Sequence, residues 1–385
     1  MNVEKERIER NLKDFSFPRL SGTKFEKRAF NLLLGKIKEL NLNPKVQRFQ
    51  FSTFYSRIYP KITFSLVFWI FFILFINIDF TLLMINLVAI SAFYLPLFIL
   101  TRNPEKIRIG KVLESQNVYV KLEPQGDNLS QKNKITNIFF MAHYDSKGQR
   151  FIARIRFLSI LSWTISLITL AIILILRNAI FPQLFSIFSF IGIIPLGINF
   201  LATLILVTNT TNNRSKGVID NASGVACVLE LLSYFSKEKS FFNNIRLWFV
   251  FTGAEETGTM GVRFLYKLIK DIDRETTIIN NFESLGKKVG IFISKNNLEN
   301  MPEYYLFFER MAKKYGFRTW VSGITRGVHT DGIYLFQKGF NLYEHGSTEA
   351  GNYMHSKYDS IKNVDISKLK STCEFVIELV KDYKE

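Results

Sequence analysis

Four long apolar runs, at 62–78, 80–100, 157–176 and 184–207, constrain this chain more than any other feature. About 20 apolar residues in a helix cross roughly 30 Å of hydrocarbon. The first run lies at the short end of that range. Core helices of soluble domains rarely lack a polar face for so long. The runs come in pairs, with turns at Asn77–Asp79 and at 177–182, so they read as two transmembrane hairpins. Their internal polar residues are Ser, Thr and Asn, with Gln183 at an edge. No Asp, Glu, Lys, Arg or His lies deep in any run, whereas ion and proton pathways depend on such groups. The hairpins therefore read as an anchor. Pro195 and Gly197 are expected to kink the fourth span, which neighbouring helices tolerate.

The formal charge of +17 would suit a nucleic-acid partner, but 48% of the residues are hydrophobic and 38 are Phe. Basic charge combined with apolar blocks points to a lipid bilayer and away from nucleic acid. Cys227 and Cys373 form no CxxC motif and no disulfide framework. The first 20 residues are charged without an apolar centre, so no cleavable signal peptide is expected.

Between and after the hairpins the chain has soluble character. Residues 1–24 read as polar and basic. A helix is expected at 25–40, with Phe30, Leu33, Leu34 and Ile37 at helical spacing and Ser21 or Thr23 as N-cap. Strands are expected at 45–52, 117–122, 138–141, 245–251, 277–282, 289–294 and 340–343. Residues 123–134 read as a polar loop, 302–315 as a helix and 366–384 as a closing amphipathic helix. Strands alternating with helices argue for an α/β fold, a mixed sheet covered by helices on both faces. The expected organisation is a discontinuous catalytic domain (1–61, 101–156 and 208–385) with hairpins at 62–100 and 157–207.

Chemistry-bearing residues recur where strands end or helices begin. His143 and Asp145 leave the strand at 138–141. Asp220 stands in Asp-Asn-Ala-Ser-Gly before a helical pattern, and Glu255–Glu256 follow the 245–251 strand. Glu283 follows the next strand, and His355 comes late. Singly, an Asp-Asn pair is most often a turn and a Glu-Glu pair solvated surface. Together they match a two-metal hydrolytic centre. Such a centre needs a histidine on each metal, a carboxylate bridging both, a terminal carboxylate on each, and one free carboxylate to take a proton from water. Adjacent glutamates suit the last two roles.

His143-Tyr-Asp145, Asp220-Asn221, Glu255–Glu256, Glu283 and His355 resemble the signature of the M28 family of zinc metallopeptidases, over nearly all the chain outside the hairpins. The resemblance implies a zinc exopeptidase-like fold and two zinc ions per chain. His143 and Glu283 would complete one metal, Glu256 and His355 the other, and Asp220 would bridge. Glu255 would be the general base and Asp145 would orient His143. Phe17-Pro-Arg-Leu-Ser-Gly22 is similar to the family's approach to its first helix. The sequence departs from the family at Glu283, where Asp is usual. Gly332 replaces the histidine of a Ser-Asp-His loop, which weakens a role for that loop and leaves Asp331 as a candidate substrate or oxyanion residue. Met354 stands where some relatives carry a Tyr that stabilises the tetrahedral intermediate, with Tyr353 and Tyr358 as substitutes.

The implied activity is aminopeptidase action on peptides. A carboxypeptidase, a glutaminyl-cyclase-like acyltransferase of the same fold and a non-catalytic membrane scaffold are the alternatives. The intact ligand set argues against the scaffold. Span-flanking cations, including Arg57, Lys61, Arg102, Lys106, Arg150, Arg154, Arg156 and Arg214, all lie on the catalytic side, whereas the opposite turns carry only Arg177 and Asp79. The positive-inside rule then expects a cytoplasmic catalytic domain, against the family's extracytoplasmic habit.

Overall fold

The apolar residues at 138–141 belong to a strand, Thr136–His143, whose side chains alternate between two cores. Ile138, Phe140 and Ala142 enter one cluster, and Phe139 and Met141 the other. A strand apolar on both faces has to be covered on both, and that requirement sets the layers. The computed structural model describes residues 2–124, 135–238, 244–323 and 329–382. Most of the expected 123–134 loop, and the end of the expected 366–384 helix, lie outside them.

The principal helices are α1 (Lys5–Asp14), α2 (Lys24–Lys38), α3 (Tyr59–Phe75), α4 (Phe80–Leu100), α5 (Ala153–Ile175), α6 (Phe185–Thr208), α7 (Ser223–Phe235), α8 (Met260–Ile269), α9 (Pro302–Lys314), α10 (Asp331–Gln337) and α11 (Ile366–Asp382). The strands of the main sheet are β1 (Lys45–Ser52), β2 (Val112–Leu122), β3 (Thr136–His143), β4 (Ile245–Thr252), β5 (Thr277–Glu283), β6 (Gly290–Ser294), β7 (Arg318–Ser322) and β8 (Asn341–Gly346). By contacts the chain divides into two units, residues 1–51, 113–149 and 212–385 in one and 52–112 and 150–211 in the other.

The first unit is built on an eight-stranded mixed sheet in the order β1-β2-β4-β3-β5-β8-β6-β7. Strands β4, β3, β5 and β8 are mutually parallel, with Phe140 opposite Phe249 and Asn280, and Glu283 opposite Gly346. Strand β2 runs antiparallel to β4, and β6 antiparallel to β8. The four parallel strands therefore end along one edge, where α/β sheets collect reactive groups. Helices α1, α2, α7, α9 and α11 supply side chains to one core, and α8 and α10 to the other.

Helices α1, α8 and α10 and strand β7 were not expected. Helix α1 lies in the stretch read as polar and basic. Its Ile8 and Leu12 are fully buried, and Arg7 binds Glu230 through Nε at 2.5 Å and Nη2 at 2.7 Å. Ile8, Leu12 and Phe15 follow helical spacing, a signal diluted by the charges between them. Strand β7 is an edge strand with Trp320 exposed, so it lacks the alternation that marks a half-buried strand. Helix α2 has its N-cap at Thr23, which accepts from Phe25 N at 3.3 Å.

The second unit is helical. Helix α3 ends at Phe75, three residues before the apolar run does, because Asn77 takes a left-handed conformation, with φ 55°. Asp79 then caps α4, accepting from Thr81 N at 2.9 Å. Arg177 is buried and donates to the terminal carbonyls of α3, Phe75 O at 2.8 Å and Leu74 O at 3.0 Å. Asn199 on α6 donates to Trp163 O and Ser166 Oγ on α5, both at 3.0 Å. Helix α6 runs unbroken through Pro195. Among the described residues, five helices are long and apolar enough to cross a membrane. Four belong to this unit. The fifth, Val218–Phe235, contains α7 and is wholly buried in the first unit.

Candidate metal centre

The ends of β3, β4 and β5 carry His143, the Gly253–Glu256 turn and Glu283 to one place. The segment entering α7 brings Asp220, and a loop after β8 brings His355. His143 Nε2 lies 3.0 Å from Asp220 Oδ1 and 3.2 Å from Glu283 Oε1. His355 Nε2 lies 3.0 Å from Asp220 Oδ2 and 3.1 Å from Glu256 Oε2. The two oxygens of Asp220 thus face two separate trios, His143–Asp220–Glu283 and Asp220–Glu256–His355. In each trio one ligand atom per residue lies within 4.8 Å of the others. Glu283, longer than the family's usual Asp, reaches its place, and its Oε2 is buried without a hydrogen-bond partner. Imidazole nitrogens and carboxylate oxygens in this arrangement form a donor set that zinc accepts. The residues fit the metal.

Asp145 organises the centre from behind. Its Oδ1 is 3.4 Å from His143 Nδ1, the ring nitrogen turned away from the trio. Its two oxygens also accept from Glu255 N at 3.1 Å and Glu256 N at 3.2 Å, and Ser21 Oγ donates to it at 2.5 Å. One carboxylate therefore orients a histidine and holds the Glu-Glu turn, the outer support that metal-ligating histidines commonly receive.

The electrostatics separate the two glutamates. Burial pushes Glu255 well above the usual carboxylate range, with Glu283 and Glu256 adding to the rise. Glu256 is also buried and feels Asp220, but His355 and Lys147 hold it down at about 2. Asp220 is buried too, and the two imidazoles facing it keep it well below its ordinary range. Neighbouring residues in one turn thus differ in proton affinity, Glu255 high and Glu256 low.

A cavity of about 400 Å³ opens onto the centre, lined by Glu255, Glu256, Glu283, Lys147, Glu344 and His355 among others. Met354 lines it, but Tyr353 and Tyr358 do not, and Tyr358 is 58% exposed. Asp331 is buried at the start of α10, accepting a hydrogen bond from Thr252 Oγ1, and is not part of the lining. The glycine at Gly332 sits in close packing: a Cβ there would lie 2.8 Å from Asn281 Cβ and 2.1 Å from Glu344 Oε2.

Three further residues support the centre and carried no assigned role in the sequence. Buried Arg19 donates to Tyr144 O at 2.8 Å, Lys216 O at 2.9 Å and Gly217 O at 2.9 Å, which ties the Pro-Arg-Leu-Ser-Gly segment to two site loops. Asp359 accepts from Ile219 N at 2.6 Å and Asp220 N at 3.4 Å, fixing the backbone beneath Asp220. Lys147 contacts Glu256 directly. Arg19 and Asp359 lie inside motifs that were legible, but their partners are more than 100 residues away, out of reach of any local pattern.

Residues 200–380 match the model for peptidase family M28. The match begins after His143 and Asp145, which join the centre through the fold. Among solved structures the chain resembles an aminopeptidase from Aneurinibacillus sp. strain AM-1, with 14% identity, TM-score 0.58, and 98% and 93% of the two chains covered. A zinc aminopeptidase from Bacillus subtilis gives 15% identity, TM-score 0.55, and 99% and 95% coverage. A glutaminyl cyclase from Tannerella forsythia gives 13%, 0.55, and 99% of each chain. At these identities the likeness establishes the zinc exopeptidase fold and nothing finer. No curated protein matches the chain in sequence.

Proposed function

We propose that this protein is a membrane-anchored zinc aminopeptidase that hydrolyses the first peptide bond of substrates with a free N-terminus. The observation that carries the reading is the pair of trios sharing Asp220, with His143 on one side and His355 on the other. His143, Asp220 and Glu283 would hold one zinc, and Asp220, Glu256 and His355 the second. When bound, the two cations supply Lewis acidity and bring the pKa of a shared water toward about 7. Glu255 takes the proton of that water and hands it to the leaving amine, and its raised proton affinity suits both transfers. Asp145 keeps the His143 ring in orientation and the Glu255–Glu256 turn in register. The acidic cavity wall, with Glu344 beyond the metal ligands, attracts an α-ammonium.

The glutaminyl-cyclase alternative draws on the shared fold. Both trios being complete, with His143 and Glu283 in place on one side and Glu256 and His355 on the other, favours the two-metal peptidase. Two apolar hairpins supply the anchor, and the basic residues flanking them support a cytoplasmic catalytic unit. Peptides or protein N-termini close to an anionic surface are then the substrates. Each flanking Lys or Arg adds roughly 1 kcal/mol of attraction to such a surface.

The reading is tested with purified protein by elemental analysis and by comparing a peptide with its N-acetylated copy. About two zinc ions per chain are expected, and acetylation should slow cleavage by orders of magnitude. Equal cleavage of both peptides, or release of the C-terminal residue first, would replace it with the carboxypeptidase. Reporter fusions at residue 120 and at the C-terminus should both report cytoplasm.

A further inference from the structure

We propose that Lys147 supplies the positive charge that meets the carbonyl oxygen as it becomes an oxyanion. This rests on the aminopeptidase reading and adds a residue to it. Lys147 directly follows the His143–Ser146 turn, and its backbone is anchored on both sides. Ser146 N donates to Arg19 O at 3.1 Å, and Lys147 N donates to Glu256 Oε1 at 3.2 Å. Its ammonium lies 2.7 Å from Glu256 Oε2 and donates to Glu256 O at 3.3 Å. That same Oε2 faces His355 Nε2 at 3.1 Å. The ammonium therefore sits at the rim of the Asp220–Glu256–His355 trio. Its side chain is 17% exposed and lines the cavity.

Among the described residues that line the cavity, Lys147 is the one Lys or Arg. The tyrosines proposed from the sequence for the oxyanion role, Tyr353 and Tyr358, are not in the lining. An ammonium has three protons to donate. Glu256 Oε2 and Glu256 O take two, and the third is free for an oxygen entering the cavity.

The step balances as follows. The water oxygen bonds to the carbonyl carbon while Glu255 takes the water proton. The π pair of the carbonyl moves onto its oxygen, which accepts the third Lys147 N–H. Collapse returns that pair, breaks the C–N bond, and the amine leaves with the proton from Glu255. Lys147 stays protonated throughout. A donor placed in advance where charge develops acts mainly on the transition state.

The test uses full-length, zinc-loaded protein as wild type, Lys147→Met and Lys147→Arg. Zinc per chain is measured. Turnover is followed on leucine p-nitroanilide. Calorimetry gives the affinity for leucine and for its aminoalkylphosphonate analogue, a tetrahedral anion. Lys147→Met is expected to keep its zinc, lose about 10²–10³-fold in kcat with KM within threefold, and bind the phosphonate at least tenfold more weakly while leucine affinity holds. Lys147→Arg should recover at least tenfold of the lost kcat. Loss of zinc from Lys147→Met would overturn the proposal, making Lys147 a support for Glu256. So would an unchanged kcat and phosphonate affinity, or leucine and phosphonate affinities falling together. If the wild type cleaves no aminoacyl substrate, the aminopeptidase reading fails on its own, and the ratio of phosphonate to leucine affinity still decides the role of Lys147.

Discussion

Helix α4 and the segment Val218–Phe235 that contains α7 pass the same test of length and apolarity, yet the latter is wholly buried in its unit and α4 has no buried residue. The difference lies in what surrounds them. Helix α7 packs between a sheet and α1 and α11, so its apolar side chains find protein on every side. Helix α4 presents Ile85, Val88 and Leu95 outward, each more than half exposed. A monomer in water rarely exposes so large an apolar face, and a bilayer would cover it. The polar groups follow the reverse pattern. The catalytic unit gathers buried carboxylates and histidines around a cavity, whereas the helical unit buries a few polar groups, Arg177 and Asn199, that join helix to helix.

The largest expected effect breaks this contrast directly. Leu231→Arg on α7 buries an unpaired charge and should abolish the folded catalytic unit, read as loss of zinc and of protease resistance. Ile85→Arg on α4 should leave zinc and turnover intact while weakening retention in alkaline-washed membranes. The expected cost there is about 2.5–3.5 kcal/mol at a span centre. Identical behaviour of the two variants would erase the distinction between the helices.

Next comes the division of labour within the Glu-Glu turn. Glu255→Gln should keep zinc and lose about 10²–10⁴-fold in kcat. Glu256→Gln should lose zinc from the His355 side. The opposite pattern would exchange their roles.

A smaller effect concerns Glu344, a buried acid of the cavity that neither trio uses and that has no part in the proposed proton transfer. Burial raises Glu344 to about 8 from 4.5. Between those values the folded protein holds a proton that the unfolded chain has released. Its stabilising contribution is therefore full below about pH 4.5 and is lost as pH rises through 8. In chelated protein, Glu344→Gln should gain stability relative to wild type between pH 5 and 8.5, by up to a few kcal/mol at about 1.4 kcal/mol per unit. Denaturant midpoints at the two pH values measure it. A constant difference would mean that the carboxyl is ionised in the fold.

The smallest expected change is in the helical unit. Arg177→Met leaves Phe75 O and Leu74 O without their donor and should cost roughly 2–3 kcal/mol. It would appear as a lower melting temperature in detergent, with zinc content unchanged. A simultaneous loss of zinc would show that the two units do not behave separately.

Local pattern alone determined several things about this protein. The four apolar runs became helices because hydropathy over some 20 residues is a property of the run itself. The β3, β4 and β5 strands were legible because strands buried on both faces are apolar at every position. The candidate site residues His143, Asp220, Glu255–Glu256 and Glu283 could be picked out because each ends or follows a strand or precedes a helix, whereas His355 stood out through the family resemblance. Helix α1 was missed because its apolar stripe is narrow and its charges dominate composition. Tertiary structure decided what no window contains. It set which oxygen of Asp220 faces which histidine, that Asp145 serves His143 and both glutamate amides at once, and that Lys147 rather than Tyr353 or Tyr358 lines the cavity. It also separated α7 from α4. Burial and hydrogen-bond direction depend on neighbours far away in sequence, which only the completed sheet brings into hydrogen-bond distance.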